Sequence, residues 1–565
     1  MVCIFKNVVR GSWSVNRISC IVARALYIVM AIVGMHTFAQ VENVPVGHPV
    51  YIFLQRCDAK NMLQEYDETV LPLSRKKIAF YLREIEQDSV PISNAEKQLL
   101  KKYLNEFEYE IARTSVHSFS LFNDVNSDDK NFASSEKHLY SYYDSNVAFI
   151  VDGILTLDYR TLTQKKWSAR FAEFGGRVRG TISNAFGFYL QGTNAEFRGE
   201  RNLLLLDKRL RTNYKIYDKQ FHNFDFAEGY LRYEGDFLSA QIGRERIVWG
   251  RSFGEKFVLS ETPPVFDFIR FDAHYKSFQY NFLHGWFNGK GTTITIPSSG
   301  DRVDSLGDKY VALHRIGVKL SPLFSFGIGE MVVYSNRSID AAYLNPIIFF
   351  ESVQRSRKDR DNTFLVFDAT SNLSDRIQMR GSLLYDDINF KTFGTHSWDN
   401  RWGAQLGALF VDPFAVENFD LRFEYTRIEP YVFSHGRSYD NYYSVDSFQL
   451  GIPLQPNSEL YLSTIQYFIS PQWNFSVSLA VMRHGENVDS GNGNYRNVGG
   501  NFLQPHRVQD ATTVYFLDGA IEETSLITVS STYEIIREVY LDMFYHYMKS
   551  NEKEHLLRAS IRIDF

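Results

Sequence analysis

From about residue 146 to the C-terminus, apolar and polar residues alternate with a period of two. Between Phe419 and Tyr425, for example, aromatic and aliphatic residues occupy one set of alternate positions, and Asp, Arg and Glu occupy the other. Such alternation predicts β-strands with one apolar and one polar face. Comparable segments recur at 147–159, 166–180, 182–193, 226–235, 237–247, 276–287, 309–320, 324–335, 363–371, 375–388, 401–412, 447–452, 459–469, 472–483 and 539–547.

The length of these segments favours a membrane barrel over a soluble β-sheet protein. Many contain about 9–13 residues, whereas an ordinary strand has about five or six and a tilted strand that crosses a bilayer has about 9–11. In such a barrel, the apolar face meets lipid and the polar face lines the interior. We therefore predict an all-β, antiparallel transmembrane barrel over residues 146–565, with about 16–18 strands.

Short and long connections alternate along this region. Short links occur around 184–185, 321–322, 373–374 and 470–471, and long polar stretches occur at 195–222, 250–275, 288–308, 336–361, 389–399, 430–445 and 484–511. Outer-membrane barrels have short periplasmic turns and long extracellular loops. The chain ends in an amphipathic segment whose last residue is Phe565. This ending resembles the signature by which outer-membrane barrels are recognised by the barrel-assembly machinery, so Phe565 is a candidate assembly signal.

Residues 48–110 follow a helical period instead. Ser74 is positioned to cap one helix, and Ser93 with Glu96 forms a capping-box sequence at the start of another. Together these helices predict a small water-soluble α-helical module over residues 40–115, followed by a linker at 116–145. Cys57 falls in this module and is expected to be a buried helix residue.

The first 39 residues have the organisation of a secretory signal peptide. Four basic residues precede an apolar run from Ala25 to Met35, which is followed by Thr37-Phe38-Ala39. That run is too short for a membrane anchor, which needs about 20 apolar residues. We predict cleavage after Ala39, which places the module in the periplasm and the barrel in a bacterial outer membrane.

Composition narrows the function classes. The 61 basic and 66 acidic residues nearly cancel, which argues against a nucleic-acid partner. Aromatic residues make up 15% of the chain, as expected for strands and membrane interfaces. The sequence contains no Gly-x-Ser-x-Gly, His-Glu-x-x-His or Walker-type motif. We therefore expect no catalytic site, no cofactor and no metal site. An omptin-like or lipase-like barrel enzyme, which assembles its site from distant strands, stays open as an alternative.

Two segments stand out beyond this pattern. The first runs from Gly243-Arg244-Glu245-Arg246 through Trp249-Gly250 to Leu259-Ser260, and the second is Tyr343-Leu344-Asn345-Pro346. A third, Glu424-Tyr425-Thr426-Arg427-Ile428-Glu429-Pro430, lies farther along the chain. These motifs resemble the capsule assembly Wzi family of outer-membrane proteins from about Val147 to the C-terminus. At Gly451-Ile452-Pro453 the sequence departs from the family pattern, which more often has His after the glycine.

The resemblance implies a lectin-like protein that binds or anchors capsular or exopolysaccharide at the cell surface. Sugars bind through aromatic faces and planar polar groups, and Trp249, Trp286, Trp398 and Trp402 lie near predicted strand ends. The candidate polysaccharide-binding residues are Arg244, Arg246, Trp249, Arg251, Asn345 and Arg360. Because loops at one end of a barrel converge, we expect all of these except Arg244 to cluster at one mouth of the barrel.

Two alternatives stay open. The barrel could instead be a porin or a substrate-specific channel, although large interior residues such as Tyr540 and Phe544 favour an occluded lumen. The segment 48–110 resembles an S-layer-homology-like region found before such barrels in some members. That resemblance implies a contact with peptidoglycan, while a spacer or plug without a ligand fits the same residues. Outer-membrane lipid is a further expected partner.

Overall fold

The computed structural model contains a closed antiparallel barrel of 18 strands, which confirms the predicted fold class. It describes residues 40–565 except 124–132, 212, 217, 219, 296–301, 359, 387–390, 393, 437–439, 446–447, 490 and 492–494. The predicted signal peptide at 1–39 lies outside the described residues. The barrel strands, in chain order, are β1 (Val147–Leu162), β2 (Trp167–Ile182), β3 (Phe186–Gly199), β4 (Asn223–Glu234), β5 (Leu238–Glu245), β6 (Phe266–Tyr275), β7 (Phe278–Thr295), β8 (Arg302–Ser321), β9 (Phe324–Ser335), β10 (Asn362–Ser374), β11 (Ile377–Asp386), β12 (Trp402–Val411), β13 (Phe419–Ile428), β14 (Ser458–Ser470), β15 (Trp473–Glu486), β16 (Ala520–Ile536), β17 (Val539–Lys549) and β18 (Lys553–Asp564).

The barrel closes where β18 pairs with β1. Leu556 lies opposite Leu162 and Asp564 lies opposite Ile154 in this pairing. The alternating pattern sets the two faces, because Ile561 is 44% exposed on the outside whereas its neighbour Ser560 is 3% exposed. Arg558 in β18 forms an ion pair with Asp158 of β1. The final strand therefore completes the wall, and its polar face joins the charged interior.

Connections alternate in length as the sequence predicts. The turns at 183–185, 235–237, 276–277, 322–323, 375–376, 471–472 and 537–538 are short and share one end of the barrel. The start of β1 and the end of β18 lie at that same end, so it is the periplasmic end. Long loops at 200–222, 246–265, 336–361 and 429–457 leave the opposite, extracellular end.

In the part of the chain that the structure describes, four helices precede the barrel: α1 (Val50–Ala59), α2 (Arg75–Gln87), α3 (Asn94–Glu106) and α4 (Glu108–Ala112). The caps predicted from the sequence are confirmed. The Ser74 hydroxyl accepts from the backbone N–H of Lys77, and Ser93 and Glu96 form a reciprocal capping box. Cys57 is fully buried in α1, also as predicted. Among the described residues, no helix combines the length and the apolar character needed to cross a membrane.

The helical module is not a separate soluble unit, because it is docked in the periplasmic end of the barrel. Arg56 of α1 contacts Asp412 in the turn between β12 and β13 at 2.9 Å and also pairs with Asp420 at the start of β13. Elsewhere on the rim, Glu106 of α3 accepts from Arg537 at 2.7 Å. Charged residues of the module, which suggest a water-soluble surface in the sequence, therefore form buried ion pairs with the barrel.

Residues between the module and the barrel also carry structure. Short strands Ser118–Ser120 and Glu136–His138 pair in parallel, and Tyr140–Tyr143 adds to the first part of β1. The His138 ring contacts Asp152 of β1 at 2.6 Å. The described part of the predicted linker at 116–145 is thus folded against the barrel wall.

A long loop fills much of the lumen. This lumen loop (residues 246–265) leaves the extracellular end of β5 and descends inside the barrel until it meets the module. Val248 and Trp249 pair with Leu71 and Val70 of the module in a two-stranded sheet. The loop contributes to a hydrophobic core with inward residues of β6–β11. This core includes Phe257, Val258, Leu259, Phe266, Phe268, Leu283, Val311, Leu313, Met331, Val333, Phe364, Val366 and Leu384.

A first prediction concerns the last residue. Replacing Phe565 with Asp is expected to reduce assembly in the outer membrane several-fold, because the C-terminal strand closes the wall and carries the predicted recognition signal. The measurement is the yield of heat-modifiable barrel in outer-membrane fractions, with Phe565→Tyr as the control. Normal yield from the Asp variant would contradict the assembly role.

Candidate functional site

Loops from three neighbouring strand pairs form the extracellular cap: the described residues of 391–401, 429–457 and 487–519. Backbone hydrogen bonds join the first and third of these loops. The Trp398 N–H donates to the Thr512 carbonyl at 3.0 Å, and the Val514 N–H donates to the His396 carbonyl at 2.8 Å. The middle loop is tied to the third by the Tyr431 N–H, which donates to the Gly499 carbonyl at 2.9 Å. These bonds hold the three loops as one surface.

Aromatic rings are stacked at the centre of the cap. Trp398 and His506 lie face to face, with ring centroids 4.0 Å apart and an interplanar angle of 11°. Tyr431, which is buried, meets the edge of Trp398 at 6.1 Å and supports the pair from beneath. Tyr515, also on this surface, is 54% exposed. The cap therefore presents partly exposed aromatic rings held in place by a buried one.

Planar polar groups surround these rings. Asn497 is buried and donates to Asp510 at 2.9 Å, while Arg507 pairs with Asp510 at 2.7 Å. Burial alone would raise the pKa of Asp510, but hydrogen bonds from Arg507 and Asn497 outweigh it and lower that pKa. Arg507 also lies over the Tyr495 ring, with its guanidinium carbon 4.8 Å from the centroid. The cluster offers fixed donors and a carboxylate beside the aromatic rings.

A second aromatic and cationic group adjoins the first. The Arg427 guanidinium carbon lies 3.8 Å from the centroid of Phe516 and 5.5 Å from that of Trp402. Glu429 accepts from Arg427 at 2.7 Å and fixes the guanidinium. Aromatic faces with oriented amide, guanidinium and carboxylate groups suit the apolar faces and hydroxyls of sugar rings. The surface therefore has the groups needed to contact a sugar ring without reacting with it.

Two of the residues selected from the sequence lie deep inside the barrel. Trp249 is 3% exposed, packed between Val70 of the module and Leu259 of the lumen loop. Arg251 is 7% exposed and contacts Asp67 at 2.8 Å and Asp368 at 2.7 Å. Burial alone would raise the pKa of Asp67, but Arg251 and Arg315 outweigh it and hold that pKa below its usual range.

The other four selected residues lie in different places. Arg244 faces outward from β5 and pairs with Asp267 at 2.5 Å, and Arg246 donates to the Glu261 carbonyl at 2.8 Å. Asn345 is exposed in the loop 336–361, and Arg360 is exposed near the start of β10. The predicted cluster at one mouth is therefore wrong. Both loops leave the same end of the barrel, but one folds inward and the other outward, so the wall separates them.

Comparison with known proteins assigns this chain to a family. The family model described as capsule assembly protein Wzi matches residues 103–554. The chain belongs to the Wzi family. No curated protein matches it in a sequence search. The matched region of this Wzi-family chain begins inside α3 and ends inside β18, so it includes the barrel and the end of the module.

The first of two similar solved structures supports the same fold. This is the structure of Wzi from Escherichia coli, described as an outer membrane protein involved in group 1 capsule assembly and as a carbohydrate-binding β-barrel. It matches with a TM-score of 0.56 at 12% identity, and the match covers 93% of this chain and 99% of that one. OprD from Pseudomonas aeruginosa matches with a TM-score of 0.42 at 9% identity, covering 74% of this chain and 93% of that one. The likeness to the Escherichia coli structure agrees with the predicted β-barrel fold.

Sequence reasoning missed most of the cap of this Wzi-family protein. Trp398 and Trp402 were candidates as aromatic residues near strand ends, but Tyr495, His506, Arg507 and Asp510 were not selected. They lie in a long loop without a repeating pattern, and their partners are far away in sequence. The available signal was compositional, because aromatic, Asn, Gln and Arg residues are frequent between 487 and 519.

Proposed function

We propose that this protein binds capsular or exopolysaccharide on its extracellular cap and holds it at the cell surface, acting as a binding protein and not as an enzyme. The observation that carries the proposal is the contrast between the lumen of the barrel and its extracellular surface. Below the cap, the lumen is filled by packed protein. At the outer surface, stacked rings and fixed planar polar groups face solvent. Membership of the Wzi family and the carbohydrate binding stated for the Escherichia coli structure support the same function.

The glycan-binding surface in this proposal centres on Trp398, His506 and Tyr515. Sugar rings would stack on their exposed faces, because the C–H faces of sugars are apolar and the rings carry negative π-faces. Arg507 would donate to hydroxyl groups or to a uronate carboxylate, which a guanidinium recognises with paired hydrogen bonds. Asp510 would accept from sugar hydroxyls. These groups are held by their own hydrogen bonds, which reduces the entropy lost on binding.

Of the six residues selected from the sequence, we retain Arg360 and Arg246 as peripheral polysaccharide contacts. Arg360 is exposed, and its backbone carbonyl accepts from His435 and Asn441 of the cap at 3.1 and 2.7 Å. Arg246 is partly exposed at the upper end of the lumen loop. For Trp249 and Arg251 we assign a structural role, because their buried side chains join the lumen loop to the module and the wall.

The channel alternative leads to a second prediction. A cavity of about 480 Å³ lies between the module and the wall at the periplasmic end, with Lys102, Arg177 and Tyr540 among its lining residues. Because the lumen loop and the module block the direct route, purified protein in planar bilayers is expected to show no large, stable conductance. An open outer-membrane porin, reconstituted in the same bilayers, serves as the positive control.

The outcome separates the two functions. Large, stable channels from the wild-type protein, without glycan binding, would contradict the proposal and favour a porin. Further proposed partners are the barrel-assembly machinery, through Phe565, and peptidoglycan, through residues 48–110. The exposed lysines Lys97 and Lys101 on α3 are suitable positions for testing the peptidoglycan contact.

A further inference from the structure

The extracellular loop between β9 and β10 folds over the outside of the barrel. In this wall loop (residues 336–361), α5 (Phe350–Ser356) packs on outward-facing side chains of β7–β9. The Phe350 ring stacks on His314 of β8, with centroids 4.3 Å apart and an angle of 10°. His314 faces outward because its strand neighbours Leu313 and Arg315 face the interior, in contact with the lumen core and with Asp368. The wall loop therefore lies on the side of the barrel that faces the membrane.

This part of the wall carries polar groups at membrane depth. Glu330 in β9 lies about 15 Å above the periplasmic strand end, at about 3.3 Å per residue and a tilt of about 40°, within an apolar band roughly 25 Å tall. His314 contacts Glu330 at 3.0 Å. An uncovered carboxylate at that depth would cost several kcal/mol. The wall loop covers it, because the Phe350 N–H donates to Glu330 at 2.9 Å.

The same contacts fix the loop at that depth. The Pro346 carbonyl accepts from the Tyr280 hydroxyl and lies 3.3 Å from the His314 ring nitrogen Nδ1. Higher up, Thr363 in β10 donates to Glu351 of α5 at 2.8 Å. The segment from Pro346 to the start of β10 thus climbs the outer wall from the middle of the membrane to the extracellular rim. It is anchored at both heights.

The outer side of the wall loop has apolar residues below and cations above. Ile347 and Phe349 are 83% and 70% exposed on the lower part. Arg355 and Lys358 are exposed higher up, nearer the extracellular rim. Arg355 pairs with Glu351 at 2.9 Å, at the surface, where such a pair is weak. Within the described part of the chain, the Lys358 side chain makes no hydrogen bond or ion pair.

We infer that the wall loop binds a phosphorylated glycolipid of the outer leaflet. Its acyl chains would lie against Ile347 and Phe349, and a phosphate would lie between Arg355 and Lys358. The vertical order of apolar and cationic residues matches the order of acyl chain and phosphate in such a lipid. Arg and Lys side chains are the usual phosphate ligands, and each cation near an anionic lipid surface contributes about a fivefold gain in affinity.

Charge favours a lipid over a second copy of the chain as the occupant of this face. Two copies related by a twofold axis present the same patch to each other. That arrangement would bring the Arg355 and Lys358 pairs of both copies together along the rim. A phosphorylated lipid supplies the opposite charge. This inference is independent of the polysaccharide site, which lies on the extracellular cap.

The test compares Arg355→Gln/Lys358→Gln with Lys97→Gln/Lys101→Gln, which removes two cations on the periplasmic module. Each full-length protein, in detergent micelles, is titrated with bisphosphorylated lipid A and with its dephosphorylated form, and bound lipid is counted by native mass spectrometry. The wild-type and control proteins should retain bisphosphorylated lipid A in preference to the dephosphorylated form. The Arg355/Lys358 variant should lose affinity roughly 10- to 30-fold.

Folding is checked separately by heat-modifiable mobility, which all variants should retain. A second variant, Phe349→Ser, should weaken binding of both lipid forms while keeping the preference for phosphate. Equal retention by the wild type and the Arg355/Lys358 variant would overturn the inference, as would equal retention of the two lipid forms by the wild type. A stable dimer cross-linked through position 349 would also overturn it, since a second copy would then occupy the face.

Discussion

An Arg56→Met variant is expected to release the helical module from the barrel. Arg56 is 1% exposed and contacts Glu96, Asp412 and Asp420. Removing one member of a buried ionic group leaves its partners uncompensated and typically costs about 3–5 kcal/mol. Lys60, which contacts Glu96 at 2.6 Å and Asp412 at 3.1 Å, compensates those two carboxylates but not Asp420. The substitution should therefore weaken mainly the contact between α1 and the start of β13.

The rate at which the Cys57 thiol reacts measures how often the module leaves the barrel. Cys57 is fully buried in α1, and burial raises the pKa of its thiol, so it should react slowly with a thiol reagent while the module is docked. In protein purified from outer membranes, the Arg56→Met variant should react on the order of 150- to 5,000-fold faster, as expected for a loss of about 3–5 kcal/mol in local stability. Adding Asp420→Asn should recover part of the protection, because it removes a buried charge whose remaining cation, Arg422, lies 3.9 Å away.

The matched control is Arg83→Met on the exposed side of α2, which should leave the reaction rate of Cys57 unchanged. Arg56→Lys keeps the charge beside Cys57 and should have an intermediate effect. If Cys57 in the Arg56→Met variant stayed as protected as in the wild type, the ionic group would not be what holds the module.

A Trp398→Ala variant is expected to bind surface polysaccharide about 30-fold more weakly, equivalent to about 2 kcal/mol for an aromatic hot-spot residue. The substitution removes one partner of the Trp398–His506 stack, so it also frees the His506 ring to move. His506→Ala should therefore weaken binding in the same direction and by less, since Trp398 keeps its contact with Tyr431. The measurement is the affinity of purified protein for polysaccharide extracted from the producing cells.

Trp473→Ala is the control for this experiment. Trp473 is 40% exposed on the outer surface at the periplasmic end, where its indole N–H donates to Ser531 at 2.9 Å. It has the same chemistry as Trp398 but lies at the opposite end of the barrel. Wild-type affinity in the Trp398→Ala variant would argue against the cap as the binding surface, while equal loss in both Trp variants would indicate a folding defect.

The regular parts of this fold were predictable because local patterns determine them. Alternation in β13 and β18 and the caps at Ser74 and Ser93 each depend on neighbouring residues, and the structure confirms all of them. The docked module was not predictable, since the partners of Arg56 lie in a turn and a strand far along the chain. The sequence shows that charges are present, but it does not show that Asp412 and Asp420 bury them.

The loops limited the site prediction in the same way. Trp249 and Arg251 form part of a family motif, but the motif reflects packing inside the lumen. At Gly451, which is in contact with the lumen loop, a side chain would overlap the Phe257 carbonyl oxygen, so that segment is also constrained by packing. Whether a loop folds inward or outward depends on which wall residues receive it. No periodic pattern of apolar and polar residues along the chain determines the direction in which a loop folds.

The lumen loop connects the two sides of the membrane by direct contact. The Ser260 N–H donates to the Leu450 carbonyl of the cap at 2.9 Å, and the Gly250 N–H donates to the Thr69 carbonyl of the module at 2.8 Å. Under the proposed function, a polymer held at the cell surface would pull outward on the cap. Part of that tension would pass through the lumen loop to the module, whose ion pairs hold it at the periplasmic rim. Docked in this way, the module would resist outward displacement of the loop.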